Sequence, residues 1–383
     1  MPNNNSDTSE LSDISEEIRN IINRYHQAGL FNGSAAVFFK GQTLLNGGFG
    51  CADLSTETPV TPQTRFFIGS NSKQFTTALI FILADKGILD LGKYVTDYLP
   101  YFRKDTGRKI TLHHLLTHTS GVSNYTDHPD FQSNECFSGY TIPELIQEIS
   151  RPELEFEPGS RFQYSNSNYF VLGGIIEHAL GQPFYSVLKE YITIPLGLSD
   201  TGYYKGDEDM GLFAKAYYLV DKGSEETRLG ANGFEELPLH RPELYFSAGN
   251  IYSSLADMTR WIGMLTAQEV IPERYRDLAF KTMHNNYACG VACVEASLTE
   301  IGSLMKEQLQ FVSKSVWKGE KVYRFFLHRG VAGGYSSFWM AAPELDLTIV
   351  LLNSVSSYLY LDEIIYYLAK ALFRLEIRGG KLC

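Results

Sequence analysis

Segments with strand-forming patterns lie at both ends of this chain, and about 200 residues of mostly helical pattern separate them. Near the start, residues 34–40 and 43–49 are short apolar runs on either side of Gly41-Gln42, which predicts a β-hairpin. Near the other end, residues 322–328, 335–342 and 347–353 predict three strands, with a tight turn over 343–346. The simplest arrangement is one antiparallel sheet built from both ends of the chain.

Amphipathic helices are predicted beside this sheet and between its two halves. Apolar residues recur at three- and four-residue spacing from Ile14 to Tyr25 and from Leu361 to Leu372, which predicts a helix near each terminus. Further helical patterns cover 145–149, 169–179 and 257–265. The predicted fold class is therefore α/β, of the α+β kind, with an antiparallel sheet flanked by helices and a large, mostly helical insertion.

The same patterns predict a discontinuous domain organisation. Residues 1–12 are polar and rich in Ser and Asn, which is typical of a disordered tail. Residues 13–75 and 265–383 would form the sheet domain, and residues 76–264 would form the mostly helical domain. We expect the functional site to lie where the two domains meet.

Charge and cysteine content exclude several classes of protein. The 383 residues carry a net charge of −11, so the chain lacks the excess of Lys and Arg that nucleic acids and anionic membranes attract. Its five cysteines are odd in number and irregularly spaced, which is typical of buried thiols and not of a disulfide framework. The N-terminus has no secretory signal, and no apolar run is long enough to span a bilayer. We therefore expect a cytoplasmic protein, and a removed leader would change that expectation.

A serine and a lysine stand at the start of the most apolar predicted helix, in FFIGSNSKQFTTALIFILAD. A polar turn leads into this helix, which places Ser70 at its N-terminus and Lys73 one turn further on the same side. A serine hydroxyl is a weak nucleophile until a base removes its proton. Lys73 can be that base when it is neutral, and burial or the positive end of the helix dipole favours the neutral form.

The spacing of this pair is not specific by itself. It occurs three more times, at Ser186/Lys189, Ser303/Lys306 and Ser315/Lys318. Those pairs lack a glycine-containing turn before an apolar helix. The structural alternative for Ser70 is a helix-capping serine beside a solvated lysine.

A second polar turn, Tyr164-Ser165-Asn166, also precedes an apolar helix and is the one Tyr-x-Asn among 24 tyrosines. We expect a nearby lysine to lower the pKa of the Tyr164 phenol, so that Tyr164 relays protons to and from a leaving group. Asn166 would hold a substrate amide. The alternative is a capping turn without a role in chemistry.

A third motif, His328-Arg329-Gly330, ends one predicted strand. Side chains alternate along a strand, so His328 and Gly330 share one face and Arg329 lies on the other. Gly330 lets a substrate lie close to the strand, and the backbone N–H of Val331 would join that of Ser70 in an oxyanion hole. The alternative for His328 is a structural histidine.

With FIGSNSK, YSN and HRG in this order, the chain resembles the serine β-lactamase and penicillin-binding protein superfamily. It is most similar to the branch of class C β-lactamases, D-alanyl-D-alanine carboxypeptidases and esterases. Four framing stretches resemble that branch as well: ITLHHLLTHTSGV, FEPGSRFQYSN, IPLGLSDTGY and SAGNIYSSLADMTRW. The resemblance covers residues 14–375 and implies a β-lactamase/transpeptidase-like fold.

The resemblance implies a role for each motif residue. Ser70 would be the acylated nucleophile, and Lys73 and Tyr164 would be the proton-transfer pair. Asn166 would bind a substrate amide. The backbone N–H groups of Ser70 and Val331 would form the oxyanion hole.

The third motif departs from the pattern of the family. His328 stands where typical lactamases have a lysine, and it would shape and polarise the substrate pocket. Arg329 stands where they have a threonine that helps to bind a substrate carboxylate. This departure favours an esterase or peptidase-like enzyme over an efficient β-lactamase.

We therefore predict a serine hydrolase that needs no metal or other cofactor and acts through an acyl-enzyme on small esters, D-amino-acid peptides or β-lactams. His114 and His118 have the spacing of a zinc pair but lack the glutamate of H-E-x-x-H, so we predict no metal site there. Transfer of the acyl group to an alcohol and the oligomeric state stay open. The alternative from another class is a catalytically weak binding or self-assembling scaffold with the same fold.

Overall fold

The computed structural model describes residues 4–128, 139–206, 208–219, 234–237, 242–298, 300–301, 321–356 and 358–379. The strands in this part of the chain are β1 Gly33–Phe39, β2 Gln42–Phe49, β3 Cys51–Asp53, β4 Thr58–Pro59, β5 Arg65–Phe67, β6 Gly202–Tyr203, β7 Tyr217–Leu219, β8 Phe234–Glu236, β9 Ile251–Ser254, β10 Ala292–Ala296, β11 Tyr323–Ala332, β12 Tyr335–Ala342 and β13 Leu347–Asn353.

The α-helices in the same part are α1 Asn4–Gln27, α2 Ser72–Asp85, α3 Val95–Tyr98, α4 Lys104–Gly107, α5 Leu112–Leu116, α6 Ile142–Ser150, α7 Asn166–Leu180, α8 Phe184–Leu188, α9 Phe246–Gly249, α10 Leu255–Thr266, α11 Arg276–Phe280 and α12 Tyr358–Gly379. A short 3₁₀ turn, Gly69–Asn71, precedes α2.

The main sheet has six antiparallel strands in the order β10-β11-β12-β13-β1-β2. Strand β1 forms a hairpin with β2 and pairs on its other side with β13, from Gly33↔Asn353 to Phe38↔Thr348. Strands from the two ends of the chain are therefore neighbours. This arrangement confirms the mixed α/β fold with an antiparallel sheet that the sequence predicted.

Apolar side chains alternate between the two faces of this sheet, so the sheet separates two hydrophobic clusters. On one face, Met340 belongs to a cluster with Ile18 of α1 and Ile364 of α12. On the other face, Trp339 belongs to a larger cluster that contains Trp261 of α10 and most of α2. Helix α2 is therefore packed in apolar surroundings along most of its length. It begins directly after the turn that carries Ser70.

The start of the chain differs from the sequence prediction. A disordered tail was expected over residues 1–12, but α1 begins at Asn4, and residues 1–3 lie outside the described part. Leu11 packs against the hydrophobic cluster beneath α1, so apolar contacts hold this helix from a position before Ile14, where the predicted helical pattern begins.

The division into residues 13–75 with 265–383 and residues 76–264 stays a prediction. One small sheet crosses the predicted boundary, because β5 pairs with β9 from Arg65↔Ser254 to Phe67↔Tyr252. This pairing links the strand just before the Ser70 turn to the helical region. The two regions are thus joined by backbone hydrogen bonds directly beside the predicted site.

The predictions about cysteines and membrane-spanning segments can be compared with the part of the chain that the structure describes. Cys51, Cys289 and Cys293 are free thiols, while Cys136 and Cys383 lie outside the described part. Across the helices that the structure describes, none combines the length and the apolar character that crossing a membrane requires.

A buried ion pair connects the main sheet to α12. Arg329 of β11 lies 2.9 Å from Asp362 Oδ1, and the Asp362 side chain is only 3% exposed. Burial raises the pKa of Asp362 to about 6, and the charge of Arg329 offsets only part of that rise. The pair also shows that Arg329 points to the sheet face that α12 covers.

We predict that Asp362→Asn removes a pH dependence of stability. The folded protein holds the Asp362 proton more tightly than the unfolded chain does, so the folded state binds more protons between about pH 4 and 6. Wild-type protein should therefore lose roughly 3 kcal/mol of unfolding free energy, relative to the variant, as the pH rises through that window. Urea denaturation at several pH values measures the difference.

Asp53→Asn is the control, because the pKa of Asp53 is shifted in the opposite direction to that of Asp362. Hydrogen bonds from Ser55 lower the pKa of Asp53, so this carboxylate adds stability above its unfolded pKa and loses it as the pH falls. Parallel pH profiles for wild-type protein and Asp362→Asn would contradict the raised pKa of Asp362.

Candidate active site

The turn that carries Ser70 lies against an open edge of the main sheet. Strand β10 pairs with β11 only as far as Leu327, so within the described residues the rest of β11 pairs on one side, with β12. Its other edge meets the turn so closely that a Cβ added to Gly330 would collide with the carbonyl oxygen of Ile68. A Cβ added to Gly69 would lie 2.5 Å from the backbone nitrogen of Val331. Both glycines are therefore required for this contact.

A chain of buried hydrogen bonds fixes the turn on the sheet. Ser337 Oγ donates to the carbonyl oxygen of Ile68 at 2.8 Å and accepts from Asn71 Nδ2 at 2.7 Å. Asn71 Oδ1 accepts from Gln74 Nε2, and Gln74 Oε1 accepts from the Trp261 indole N–H. The position of Ser70 is thus tied to β12 and α10 as well as to its own helix.

Lys73 is completely buried, while Ser70 beside it is half-exposed. The Lys73 Nζ atom lies 3.0 Å from Ser70 Oγ, 2.7 Å from Asn166 Oδ1 and 2.9 Å from the carbonyl oxygen of Ala248. The structure therefore brings together the predicted serine, lysine and asparagine. It also adds Ala248, which the sequence analysis did not single out.

These contacts suit a neutral lysine. The oxygens of Asn166 and Ala248 only accept hydrogen bonds, so they take two N–H groups of Lys73. A neutral amine has two N–H groups and one lone pair, and the lone pair then faces the Ser70 hydroxyl. Burial also lowers the pKa of Lys73 well below its ordinary value. Lys73 can therefore accept the proton of Ser70.

Tyr164 lies close to Ser70 and Lys73. The Lys73 Nζ atom is 5.0 Å from the centre of the Tyr164 ring. The expectation that a nearby lysine lowers the Tyr164 pKa is wrong, because burial raises that pKa and the nearby Ser70 side chain offsets only part of the rise. A neutral Lys73 supplies no positive charge to stabilise a phenolate. Tyr164 is thus a proton donor at rest.

Asn166 uses both ends of its amide within the site. Its Oδ1 atom accepts from Lys73, and its Nδ2 atom donates to Thr126 Oγ1 at 3.1 Å. The backbone N–H of Asn166 donates to Asn124 Oδ1 at 2.9 Å. Asn166 therefore orients Lys73, while its Nδ2 group has a second N–H that a substrate amide oxygen could accept.

His328 is buried beside the site, and both of its nitrogens are occupied. Its Nδ1 atom lies 2.6 Å from the carbonyl oxygen of Arg329, so Nδ1 carries the hydrogen and donates it. Its Nε2 atom then accepts from the Tyr287 hydroxyl at 3.1 Å. Burial, followed by the proximity of Lys73, lowers the pKa of His328 to about 3. His328 is therefore neutral and offers no charge to a substrate carboxylate.

Some of the site residues were missed by the sequence analysis. Ala248 acts through its backbone, which leaves no side-chain signal, although it lies in the framing stretch SAGNIYSSLADMTRW. Thr126 and Tyr287 are single polar residues without a motif. Within the described ranges, no group of three or more His, Cys, Asp and Glu side chains is arranged to hold a metal ion.

We predict that Lys73→Arg abolishes most of the activity. An arginine keeps its charge at every relevant pH, so it cannot accept the Ser70 proton, and acylation should slow by about 10³-fold or more. Lys189→Arg is the matched control, because Lys189 follows Ser186 with the same spacing but is exposed.

The pH profile of the wild-type enzyme tests the same assignment. Because burial lowers the Lys73 pKa, the acylation rate should rise with pH and level off well below the ordinary pKa of a lysine. Stopped-flow measurements of the acylation rate at a series of pH values follow this rise. A rate that keeps rising to the ordinary lysine pKa would contradict a neutral Lys73.

We also predict that Gly330→Ala impairs acylation more than folding. The new methyl group would collide with the Ile68 carbonyl oxygen and push the Ser70 turn away from β11. Activity should fall by at least about 10²-fold, since an oxyanion hole loses that much when one donor is misplaced. Gly47→Ala in β2 is the control, because a Cβ at Gly47 meets nothing within 4 Å. Equal activity of the two variants would contradict the close approach.

The architecture is that of the β-lactamase/transpeptidase type of fold. The model of the Beta-lactamase family matches residues 18–370. The chain therefore belongs to the Beta-lactamase family, a family of hydrolases.

Individual relatives agree with this membership. The chain is 31% identical over 242 residues to the putative penicillin-binding protein PbpX of Bacillus subtilis (strain 168), and the match covers 63% of this chain and 56% of that protein. It is 29% identical over 241 residues to the teichoic acid D-alanine hydrolase of Staphylococcus aureus (strain MRSA252), with the same two coverages of 63% and 56%. The chain thus matches little more than half the length of these curated relatives.

A solved structure shows the shared fold over almost the whole chain. The D-amino acid amidase from Ochrobactrum anthropi SV3, in complex with L-phenylalanine amide, aligns with a TM-score of 0.73 at 20% identity. The alignment covers 95% of this chain and 100% of that one.

Proposed function

We propose that this protein is a serine hydrolase that forms an acyl-enzyme on Ser70. The observation that carries the proposal is the environment of Lys73, whose two N–H groups are taken by Asn166 and Ala248 while its remaining side faces Ser70 Oγ at 3.0 Å. A helix-capping serine beside a solvated lysine, the structural alternative, has neither the burial nor these contacts.

Acylation would begin with transfer of the Ser70 proton to Lys73. The Ser70 oxygen attacks the carbonyl carbon of the substrate, and a tetrahedral oxyanion forms. The backbone N–H groups of Ser70 and Val331 would bind this oxyanion, because the turn and β11 approach each other at Gly69 and Gly330.

The leaving group would take its proton from Tyr164. Tyr164 is protonated at rest and lies close to Ser70 and Lys73, so its hydroxyl would lie near the bond that breaks. As the leaving group departs with this proton, protonated Lys73 returns a proton to Tyr164. A water molecule then attacks the acyl-enzyme by the same route in reverse, which releases the acid and restores Ser70.

The substrate we propose is a small ester or amide without a carboxylate next to the scissile bond. His328 is neutral and both of its nitrogens are engaged, while Arg329 pairs with Asp362 on the opposite face of the sheet. Neither residue supplies a positive charge to a penicillin or to a peptide C-terminus. Of the acyl groups open to such a site, we favour D-alanyl esters, because one relative is named as a teichoic acid D-alanine hydrolase.

Covalent labelling tests the nucleophile. Wild-type protein is treated with a fluorophosphonate or with a fluorescent penicillin, and intact mass identifies any adduct. We expect a fluorophosphonate adduct that Ser70→Ala abolishes and Ser186→Ala leaves unchanged, because Ser186 is followed by an exposed lysine at the same spacing. Penicillin should label weakly or not at all.

Turnover then tests the substrate class. D-alanine methyl ester should be hydrolysed faster than its L enantiomer, and both faster than D-alanyl-D-alanine peptides with a free carboxylate. Preference for the free carboxylate would overturn the substrate proposal. The absence of any adduct on wild-type protein, or an adduct that persists in Ser70→Ala, would favour the scaffold alternative.

A further inference from the structure

His118 has a backbone conformation that is uncommon for residues other than glycine. It follows α5 with a φ of +55°, in the left-handed region. Helices commonly end with glycine or asparagine in this conformation, and a larger side chain costs about 1 kcal/mol there. His118 is also completely buried. A strained, buried histidine next to a catalytic turn indicates that its side chain has a specific task.

His118 holds the Tyr164 turn from three sides. Its carbonyl oxygen accepts from the backbone N–H of Gln163 at 2.9 Å, and its Nδ1 atom accepts from the backbone N–H of Ser165 at 3.2 Å. Its ring lies against the Tyr164 ring, with 4.3 Å between the ring centres. The residues on both sides of Tyr164 are thus bonded to His118, and Tyr164 itself lies against the imidazole.

The hydrogen bonds also determine the state of the imidazole. Asn168 Oδ1 accepts from Ser120 Oγ, so Asn168 Nδ2 is free to donate to His118 Nδ1, 3.1 Å away. With two donors on Nδ1, the hydrogen must be on Nε2, which has no hydrogen-bond partner among the described residues. Aromatic rings surround the imidazole, including that of Tyr287 at 5.1 Å between ring centres. The ring is therefore a neutral acceptor at Nδ1.

We propose that His118 is the positioning residue for Tyr164, and that its Nδ1 atom fixes where the phenol delivers its proton. This inference rests on the proposed function, in which Tyr164 protonates the leaving group. His118 touches neither Ser70 nor the substrate in this scheme. It acts through the Ser165 N–H, whose bond sets the backbone between Tyr164 and Asn166.

Two substitutions separate the role of the Nδ1 acceptor of His118 from the role of its aromatic ring. His118→Asn keeps an acceptor near the place of Nδ1 and tolerates positive φ, but it loses the ring. His118→Phe keeps a ring of similar size against Tyr164 but has no acceptor for Ser165 and Asn168. His178→Phe, at an exposed histidine of α7, controls for the exchange itself.

The leaving group of the substrate provides a readout that general structural damage would not produce. An alkyl alcohol leaves only with a proton, whereas p-nitrophenolate leaves without one. Acylation by an ethyl ester of a given acid should therefore depend on a correctly placed Tyr164, and acylation by the p-nitrophenyl ester of the same acid should depend on it far less.

We expect His118→Phe to slow acylation by the ethyl ester about 100-fold while p-nitrophenyl ester acylation changes little. His118→Asn should restore most of the ethyl ester rate, and His178→Phe should match wild-type protein. Single-turnover kinetics with both esters, alongside thermal denaturation of each variant, gives these rates.

Two results would overturn the inference. One is an equal loss with both esters in His118→Phe, which indicates general disruption of the site. The other is an ethyl ester rate in His118→Asn no higher than in His118→Phe, which shows that the acceptor does not matter. Failure of the proposed function gives a different result, since wild-type protein would then form no acyl-enzyme with either ester.

Discussion

The site depends on one buried amine, Lys73, which pairs with no carboxylate in the part of the chain that the structure describes. Lys73 lies on a helix whose other residues are almost all buried, and its own side chain is completely buried. A charged ammonium in that place would lack compensation, and the protein instead supplies two acceptors and one hydroxyl. The neutral base, the resting Tyr164 phenol and the neutral His328 all follow from the same exclusion of water.

Three separate parts of the chain must pack together for this arrangement to form. The Ser70 turn is fixed by Ser337 of β12, Lys73 is oriented by Asn166 at the start of α7, and Ala248 supplies a carbonyl from α9. None of these contacts lies within one element. The close approach of the turn to β11 adds a fourth element, so the geometry around Ser70 depends on rigid packing at the sheet edge.

The sequence predicted those features of the structure that depend on residues close together in the chain. The strands, the terminal helices and the Ser70-Lys73 pair follow from periodicity and from a polar turn before an apolar helix, and the structure confirms those elements. The role of Ala248 depends on a carbonyl brought close by tertiary packing, which leaves no pattern. The direction of the Tyr164 pKa was misjudged because a lysine in a sequence is taken as charged, and only burial shows that Lys73 is not.

The pairing of β1 with β13 has a consequence for synthesis of the protein. The first hairpin leaves the ribosome with one edge of β1 open, and that edge finds its partner only after residue 353 has been added. Such long-range pairing is slow and leaves a strand edge available to other chains, so nascent protein should depend on chaperones. Val331 also arrives late. A growing chain therefore carries the Ser70 turn long before β11 is made, so the contact between this turn and Val331 forms only near the end of synthesis.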